Sequence, residues 1–180
     1  MSKAEQVMAL YRARFPAFLR FAYRELNPTQ PLLDTWHIDV LADALEGVAR
    51  GETTRLVINL PPRTLKSLAT SVALPVWMLG RDPTRKILAL TGTRDLSRDF
   101  ETATRSLLAS PRCQALFPHL KAVGGKGDLR FTHGGARMSG VVGSALVGRG
   151  ADLIIVDDPI GAAHVHDPAK RRGVNAWFDA

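Results

Sequence analysis

The chain has 180 residues, of which 46% are hydrophobic and 23% are charged, and its formal net charge is +7. This length and balance predict a folded domain with its own core, and the positive charge suits a polyanion such as DNA, although basic proteins with no nucleic-acid role share it. The single cysteine, Cys113, excludes an intramolecular disulfide and a cysteine-based metal site, and no apolar run reaches the ~18 residues of a membrane span, which is consistent with a cytoplasmic setting.

Residues 1–30 predict an N-terminal helical segment. Apolar residues recur at near-helical spacing over 4–26, with arginines between them, and Pro16 is expected to bend or break the helix. A polar linker follows, and a second helix is predicted from Trp36 to Arg50. We interpret the first segment as a docking helix with solvated arginines, and the alternative is a basic surface for DNA or a partner subunit.

Residues 55–67 have the layout of a phosphate-binding loop. The apolar, β-branched run at 55–60 predicts a buried strand, two prolines end it, and residues 68–79 predict a mostly buried helix. Lys66 and Ser67 stand between strand and helix. In such a loop, backbone N–H groups and the lysine contact phosphates, and the serine hydroxyl ligates Mg²⁺.

The loop departs from the usual pattern G-x-x-x-x-G-K-[ST]. Leu60 and Leu65 occupy the positions of its two glycines. Leu65 matters more, because the residue before the lysine often needs the conformational freedom of glycine. The alternative is therefore a plain strand–turn–helix connection with a serine cap.

The next segments predict an α/β sheet. Strand 86–91 and helix 94–110 continue the alternation that gives right-handed crossovers and parallel strands. Residues 129–132 and 137–142 predict an antiparallel hairpin. The glycine-rich, basic stretch 118–135 predicts an exposed loop that could contact DNA phosphates.

A second apolar strand, predicted at 151–157, ends in two carboxylates. In nucleotide hydrolases the acidic residue at the end of such a strand holds Mg²⁺, and the next can polarise the attacking water. Asp157 and Asp158 are the candidates here, and the alternative is a simple Asp-Asp-Pro turn. His164 and His166 follow in a polar stretch without a further ligand motif, so we interpret them as loop residues.

Taken together, these motifs resemble the large terminase subunit of tailed phages and prophages. The resemblance covers about residues 30–180 and rests on Asn-Leu-Pro-Pro-Arg-Thr-Leu-Lys-Ser at 59–67, Leu-Gly-Arg-Asp-Pro at 79–83, Leu-Val-Gly-Arg-Gly-Ala-Asp at 146–152 and Ile-Ile-Val-Asp-Asp-Pro at 154–159. It implies a P-loop NTPase-like parallel sheet flanked by helices over 31–180, incomplete at the C-terminus. The coupling strand and nuclease domain of that family are missing, so no nuclease activity is expected.

The resemblance also implies roles for single residues. Ser67 and Asp157 would hold Mg²⁺, and Asp158 would position the attacking water, where glutamate is commoner. Arg63 and Arg149 are rival candidates for an arginine delivered to the γ-phosphate, and each is also interpretable as an ordinary loop arginine. The residues implied to bind ATP are Pro62, Arg63, Thr64, Leu65, Lys66 and Ser67, with Gln30 and Trp36 as candidates for contact with adenine. For Trp36 we favour burial against the sheet.

In the family that the chain resembles, ATP hydrolysis drives double-stranded DNA into the capsid. The implied partners are DNA, the small terminase subunit, the portal protein and further copies in a homo-oligomeric ring, in the cytoplasm of a bacterial host and without a membrane. One alternative is a helicase-like ATPase, although Asp-Asp-Pro-Ile at 157–160 lacks the helicase Asp-Glu-x-Asp or Asp-Glu-x-His pattern. The other is a non-catalytic prophage remnant that retains nucleotide and DNA binding.

Overall fold

A five-stranded mixed sheet with helices packed against it forms the fold, in a computed structural model that describes residues 2–123, 128–144 and 150–179. Three helices precede the Lys-Ser loop. They are α1 (Lys3–Ala13), α2 (Phe15–Leu26) and α3 (Trp36–Ala49). α1 begins at a capping box, in which Ser2 and Glu5 satisfy each other's backbone N–H groups. The predicted break near Pro16 is confirmed, because α1 and α2 separate at Arg14 and Pro16 lies in the first turn of α2.

The helix predicted after the Lys-Ser pair is present, but its first part is a π-helix. Helical backbone starts at Lys66 and passes through a π-helical segment, Leu68–Ala73, into α4, Leu74–Arg81. The Leu74 N–H donates to the carbonyl of Ala69, five residues back. Pro75 has no N–H to donate and lies in the first turn of α4, directly after the π-helix.

The remaining elements are β1 (Lys86–Thr91), α5 (Arg94–Ala109), α6 (Pro111–Leu116), β2 (Ala122–Val123), β3 (Leu129–Phe131), β4 (Ala136–Val141), β5 (Leu153–Asp157), a short 3₁₀ helix (Ala162–His164) and α7 (Pro168–Asp179). The strands form one sheet in the order β2-β3-β4-β1-β5. The sheet is mixed and not wholly parallel as predicted: β1 pairs in parallel with both β4 and β5, whereas the predicted hairpin of β3 and β4 is antiparallel, as is the pair of β2 and β3.

The prediction of a buried strand at 55–60 is wrong. These residues form no strand, and the side chain of Val57 is 85% exposed. An apolar, β-branched run becomes a strand only where a neighbour accepts its backbone hydrogen bonds. In the described part of the chain, β5 pairs only with β1, and residues 55–60 pair with no strand.

One face of the sheet carries the main core. Phe15 and Phe18 of α2 pack there with Trp77 of α4, Leu107 of α5 and Ile87 of β1. The N-terminal helices therefore share the core on which the sheet rests. The opposite face buries a smaller apolar cluster of β1 and β4, against which Trp177 of α7 packs. Among the described helices, none has the length and apolar character to cross a bilayer.

Candidate functional site

The lysine of the predicted loop lies between the two carboxylates of the predicted acidic strand end. Lys66 Nζ is 3.2 Å from Asp157 Oδ1 and also contacts Asp158 Oδ1. The Asp157 side chain is only 3% exposed, whereas that of Asp158 is 57% exposed. Residues that are about half the chain apart in sequence therefore meet at one site, as the sequence predicted.

Both carboxylates lie at the carboxyl ends of parallel strands. Asp157 ends β5 and is paired in register with Thr91, the last residue of β1, which in turn is paired with Val141 at the end of β4. The carboxyl ends of parallel strands are where open α/β sheets bind ligands. The position of the site in the sheet is therefore one at which a ligand is expected.

Opposing effects act on the ammonium group of Lys66. Partial burial lowers its pKa, but hydrogen bonds to Asp158 and Asp157 outweigh the burial, so the pKa of Lys66 is raised above its ordinary value. Lys66 is therefore a cation at physiological pH.

Ser71 supports Asp157 from the π-helix. Its hydroxyl donates to Asp157 Oδ2 at 2.9 Å, in a buried contact. The preceding residue, Thr70, donates from its hydroxyl to the backbone carbonyl of Lys66, four residues back, at 3.0 Å. The π-helix therefore holds both the carboxylate and the backbone of the lysine.

A buried arginine lies beneath Ser71. Arg137 of β4 is 1% exposed, and its guanidinium donates to the Ser71 carbonyl through Nη2 at 2.9 Å and Nε at 3.3 Å. A third hydrogen bond runs from Nη1 to Ser139 Oγ at 2.8 Å. Burial lowers the pKa of Arg137 to about 10, so it still carries its charge at neutral pH.

The loop before Lys66 has an unusual backbone. Arg63 and Leu65 both have φ of 64°, in the left-handed region that favours glycine. Leu65 is thus in a conformation for which glycine is the default residue, at a cost of about 1 kcal/mol or more. Thr64 closes the turn by donating from its hydroxyl to the Pro61 carbonyl at 2.7 Å, and Pro62 is exposed between them.

Ser67, the predicted Mg²⁺ ligand, is half-buried at the start of the helical run. Its side chain does not cap the helix, so the alternative of a serine cap is wrong. The described residues contain no cluster of three His, Cys, Asp or Glu side chains around a common point. Any divalent cation here would therefore depend on the hydroxyl, the carboxylates and a bound ligand.

The turn after β1 packs against the same strand end. Gly92 donates its backbone N–H to the Asp158 carbonyl at 3.1 Å. A Cβ atom on Gly92 would lie 2.5 Å from that oxygen, so only glycine fits the contact. Asp158 has a positive φ of 45°, and this turn is one of the contacts that hold it there.

The residues proposed to contact adenine or the γ-phosphate are not tied to this cluster. Trp36 is 77% exposed and stands edge-on to His37, so its predicted burial against the sheet is wrong. Gln30 is exposed in the turn before α3, and Arg63 is exposed in the loop. In the described part of the chain, none of these three side chains hydrogen-bonds to Lys66 or its carboxylates. Arg149 lies outside the described residues, as does 124–127 of the predicted basic loop.

No protein-family model matches the chain, and a search of curated proteins finds no significant match.

Two residues of the site are absent from the sequence prediction. Ser71 lies in a stretch of small and apolar residues that indicates only a buried helix. It follows Ser67 by about one helical turn, and this spacing, which places the two serines on the same side of the helix, was the one signal that could have identified it. Arg137 lies in a strand, where an arginine usually faces solvent. Its burial is a product of the packing of β4 under the π-helix and has no local signal.

Proposed function

We propose that the chain is an ATP-binding domain of the P-loop NTPase type, part of a motor like the DNA-packaging terminase that its motifs resemble. The observation that supports this most is the meeting of Lys66 with Asp157 and Asp158 at the carboxyl ends of parallel strands. A cationic side chain at the start of a helical run, next to carboxylates, is the combination that a metal–polyphosphate complex requires.

The side chains present fit that ligand. The hydroxyl of Ser67 and the carboxylate of Asp157 are the hard oxygen ligands that Mg²⁺ prefers, and they would hold the ion beside the phosphates. Mg²⁺ held there would supply positive charge that offsets the charge developing on the phosphates. Lys66 would contact the β- and γ-phosphates. Asp158 is exposed enough to turn from Lys66 toward a water molecule and orient it.

Nucleotide binding tests the proposal directly. A fluorescent ATP analogue is titrated with Mg²⁺ into the parent protein, Lys66→Ala and Lys3→Ala, which removes an exposed lysine of α1 as a matched control. Loss of one charge-assisted contact should weaken binding by Lys66→Ala about tenfold or more, and the control should bind like the parent. Equal affinity of all three proteins would contradict the assignment.

A phosphate-release assay distinguishes a catalytic ATPase from a non-catalytic remnant that only binds nucleotide. If Asp158 orients water, the parent releases phosphate from ATP, whereas Asp158→Asn binds ATP and releases none. Binding by the parent without phosphate release would favour the non-catalytic alternative. Strand separation coupled to ATP hydrolysis would favour a helicase-like ATPase instead.

We infer that duplex DNA is the polyanionic partner. The net charge of +7 supports this, as does the run of exposed basic side chains Lys170, Arg171 and Arg172 in α7. Binding should be independent of base sequence, and log affinity should fall with log salt by roughly 0.9 per phosphate contact. Replacement of Lys170, Arg171 and Arg172 by alanine should make this dependence of affinity on salt less steep. Affinity that is insensitive to salt, or a strong preference for one sequence, would contradict this inference.

A further inference from the structure

The guanidinium of Arg137 is buried at considerable cost. It is 1% exposed, and it donates to neutral oxygens, twice to the Ser71 carbonyl and once to the Ser139 hydroxyl. The carboxylates of Glu101 and Asp128 favour its charge, but burial is the larger effect and lowers its pKa. A buried charge of this kind can often be replaced by a well-packed apolar side chain without loss of stability. Fold stability alone therefore gives a weak reason for an arginine at this position.

Ser71 connects the arginine to the candidate site. Its carbonyl accepts from Arg137, while its hydroxyl donates to Asp157 Oδ2 at 2.9 Å. The other oxygen of the same carboxylate, Oδ1, lies 3.2 Å from Lys66 Nζ. A continuous set of contacts thus runs from a buried side chain of β4 to the lysine of the loop.

The backbone between these groups is of a kind that is rare in helices. Ser71 is in the middle of the π-helix Leu68–Ala73, and π-helical turns occur frequently at functional sites. At the end of this helix, the backbone N–H of Leu74 donates a hydrogen bond to the carbonyl of Ala69, five residues earlier. Two N–H groups of Arg137 converge on the Ser71 carbonyl, which fixes the side of the helix from which the serine hydroxyl reaches β5.

We propose that Arg137 is a positioning residue that, through Ser71, fixes the carboxylate of Asp157 and thereby the place of Lys66. Its consequence for ATP rests on the proposed function, but the positioning itself does not. Without Arg137 or the Ser71 hydroxyl, Asp157 is free to take other side-chain angles, and Lys66 keeps only its exposed partner, Asp158. The expected defect is then in the organisation of the site, with the fold retained.

The first test uses the protein without nucleotide. Lysine acylation, followed residue by residue by mass spectrometry, measures how far each amine is released from its contacts and accessible to the reagent, with Lys3 as an internal reference. In Ser71→Ala and Arg137→Met, Lys66 should react about fivefold faster relative to Lys3, the ratio that corresponds to loss of one modest hydrogen bond. Ser139→Ala removes only the other acceptor of Arg137, and Ser106→Ala removes an exposed hydroxyl; both should match the parent.

The second test measures affinity for ATP with Mg²⁺ in the same variants. Ser71→Ala should bind about tenfold more weakly, and Arg137→Lys should retain more affinity than Arg137→Met. If Arg137→Met does not fold, Ser71→Ala and Arg137→Lys carry the test. An unchanged rate for Lys66 in folded Ser71→Ala overturns the positioning role. If Lys66 is acylated faster in the variants, but neither the parent nor any variant binds ATP, the positioning role is supported and the proposed function is overturned.

Discussion

Replacement of Gly92 by alanine should damage both the fold and the site, because the new methyl group has no space. Its Cβ would lie 2.5 Å from the carbonyl oxygen of Asp158 and 3.0 Å from the carbonyl carbon and oxygen of Pro159. All these neighbours are backbone atoms, so no side-chain rotation relieves the contact. The turn after β1 must move away from the end of β5.

The expected loss of stability follows from two terms. Forcing an extra methyl into a packed contact costs about 1–3 kcal/mol. The shift also weakens the hydrogen bond from the Gly92 N–H to the Asp158 carbonyl, which contributes about 1 kcal/mol. We expect Gly92→Ala to reduce the free energy of unfolding by about 2–3 kcal/mol, and to weaken ATP binding because the end of β5, which carries Asp157, shifts relative to Lys66.

Urea denaturation, followed by tryptophan fluorescence to which the buried Trp77 contributes, measures the first effect. Gly47→Ala is the matched control, since Gly47 lies within α3 and a Cβ there would make ordinary contacts with the side chains of Thr53, at 3.5 Å, and Glu52, at 3.7 Å. That control should be stabilised by as much as ~1 kcal/mol through helix propensity. If Gly92→Ala has the stability of the parent, or if both variants lose the same amount, the argument from close approach is refuted.

Substitutions at three further positions, Glu46, Leu65 and Asp34, have expected outcomes. Glu46 is a buried carboxylate that accepts a backbone N–H at the start of α2, so Glu46→Gln should cost about 2 kcal/mol in a denaturant titration, whereas the exposed Asp43→Asn should cost less than about 0.5 kcal/mol. Leu65→Val should cost about 1–3 kcal/mol, because a β-branched residue fits the left-handed backbone poorly; Leu65→Gly should change stability by less than about 1 kcal/mol, since relief of strain offsets lost packing. Hydrogen bonds from Arg20 lower the pKa of Asp34, so their contribution is complete above the ordinary value of 3.8 and disappears as the pH falls through the lowered value. In thermal melts, the melting temperature of Asp34→Asn should therefore fall less on acidification than that of the parent.

Most helices and strands could be predicted because their signals are local. The apolar spacing of α2 and α5, the proline near the start of α2 and the glycine-containing turn of the β3–β4 hairpin are all read within a few residues. Residues 55–60 carry the same kind of signal and yet form no strand. Pairing depends on which strand lies alongside, and a local pattern contains no information about that neighbour.

The candidate site divides in the same way. Lys66, Asp157 and Asp158 were predictable together, because the loop that leads into the helix and the end of the parallel strand were both expected at one edge of the sheet. The contributions of Ser71 and Arg137 were not, since they depend on which face of the π-helix meets which face of β4. Trp36 shows the opposite error, in which a large apolar side chain was assigned to the core and is exposed.

The charges at the site lead to a last prediction about the form in which nucleotide binds. One ammonium group, Lys66, faces two carboxylates, Asp157 and Asp158, so the group as a whole is acidic. A free polyphosphate would be repelled by the carboxylates and would have to compete with them for the lysine. A divalent cation that arrives with the phosphates would remove both obstacles, because the carboxylates would bind the cation and leave Lys66 free to contact the anion.

ATP should therefore bind much more weakly in EDTA than in Mg²⁺. Asp158→Asn should reduce this difference in affinity, because it removes one of the competing negative charges. Equal affinity with and without the cation would mean that the carboxylates do not face the phosphates, and the proposed arrangement would be wrong.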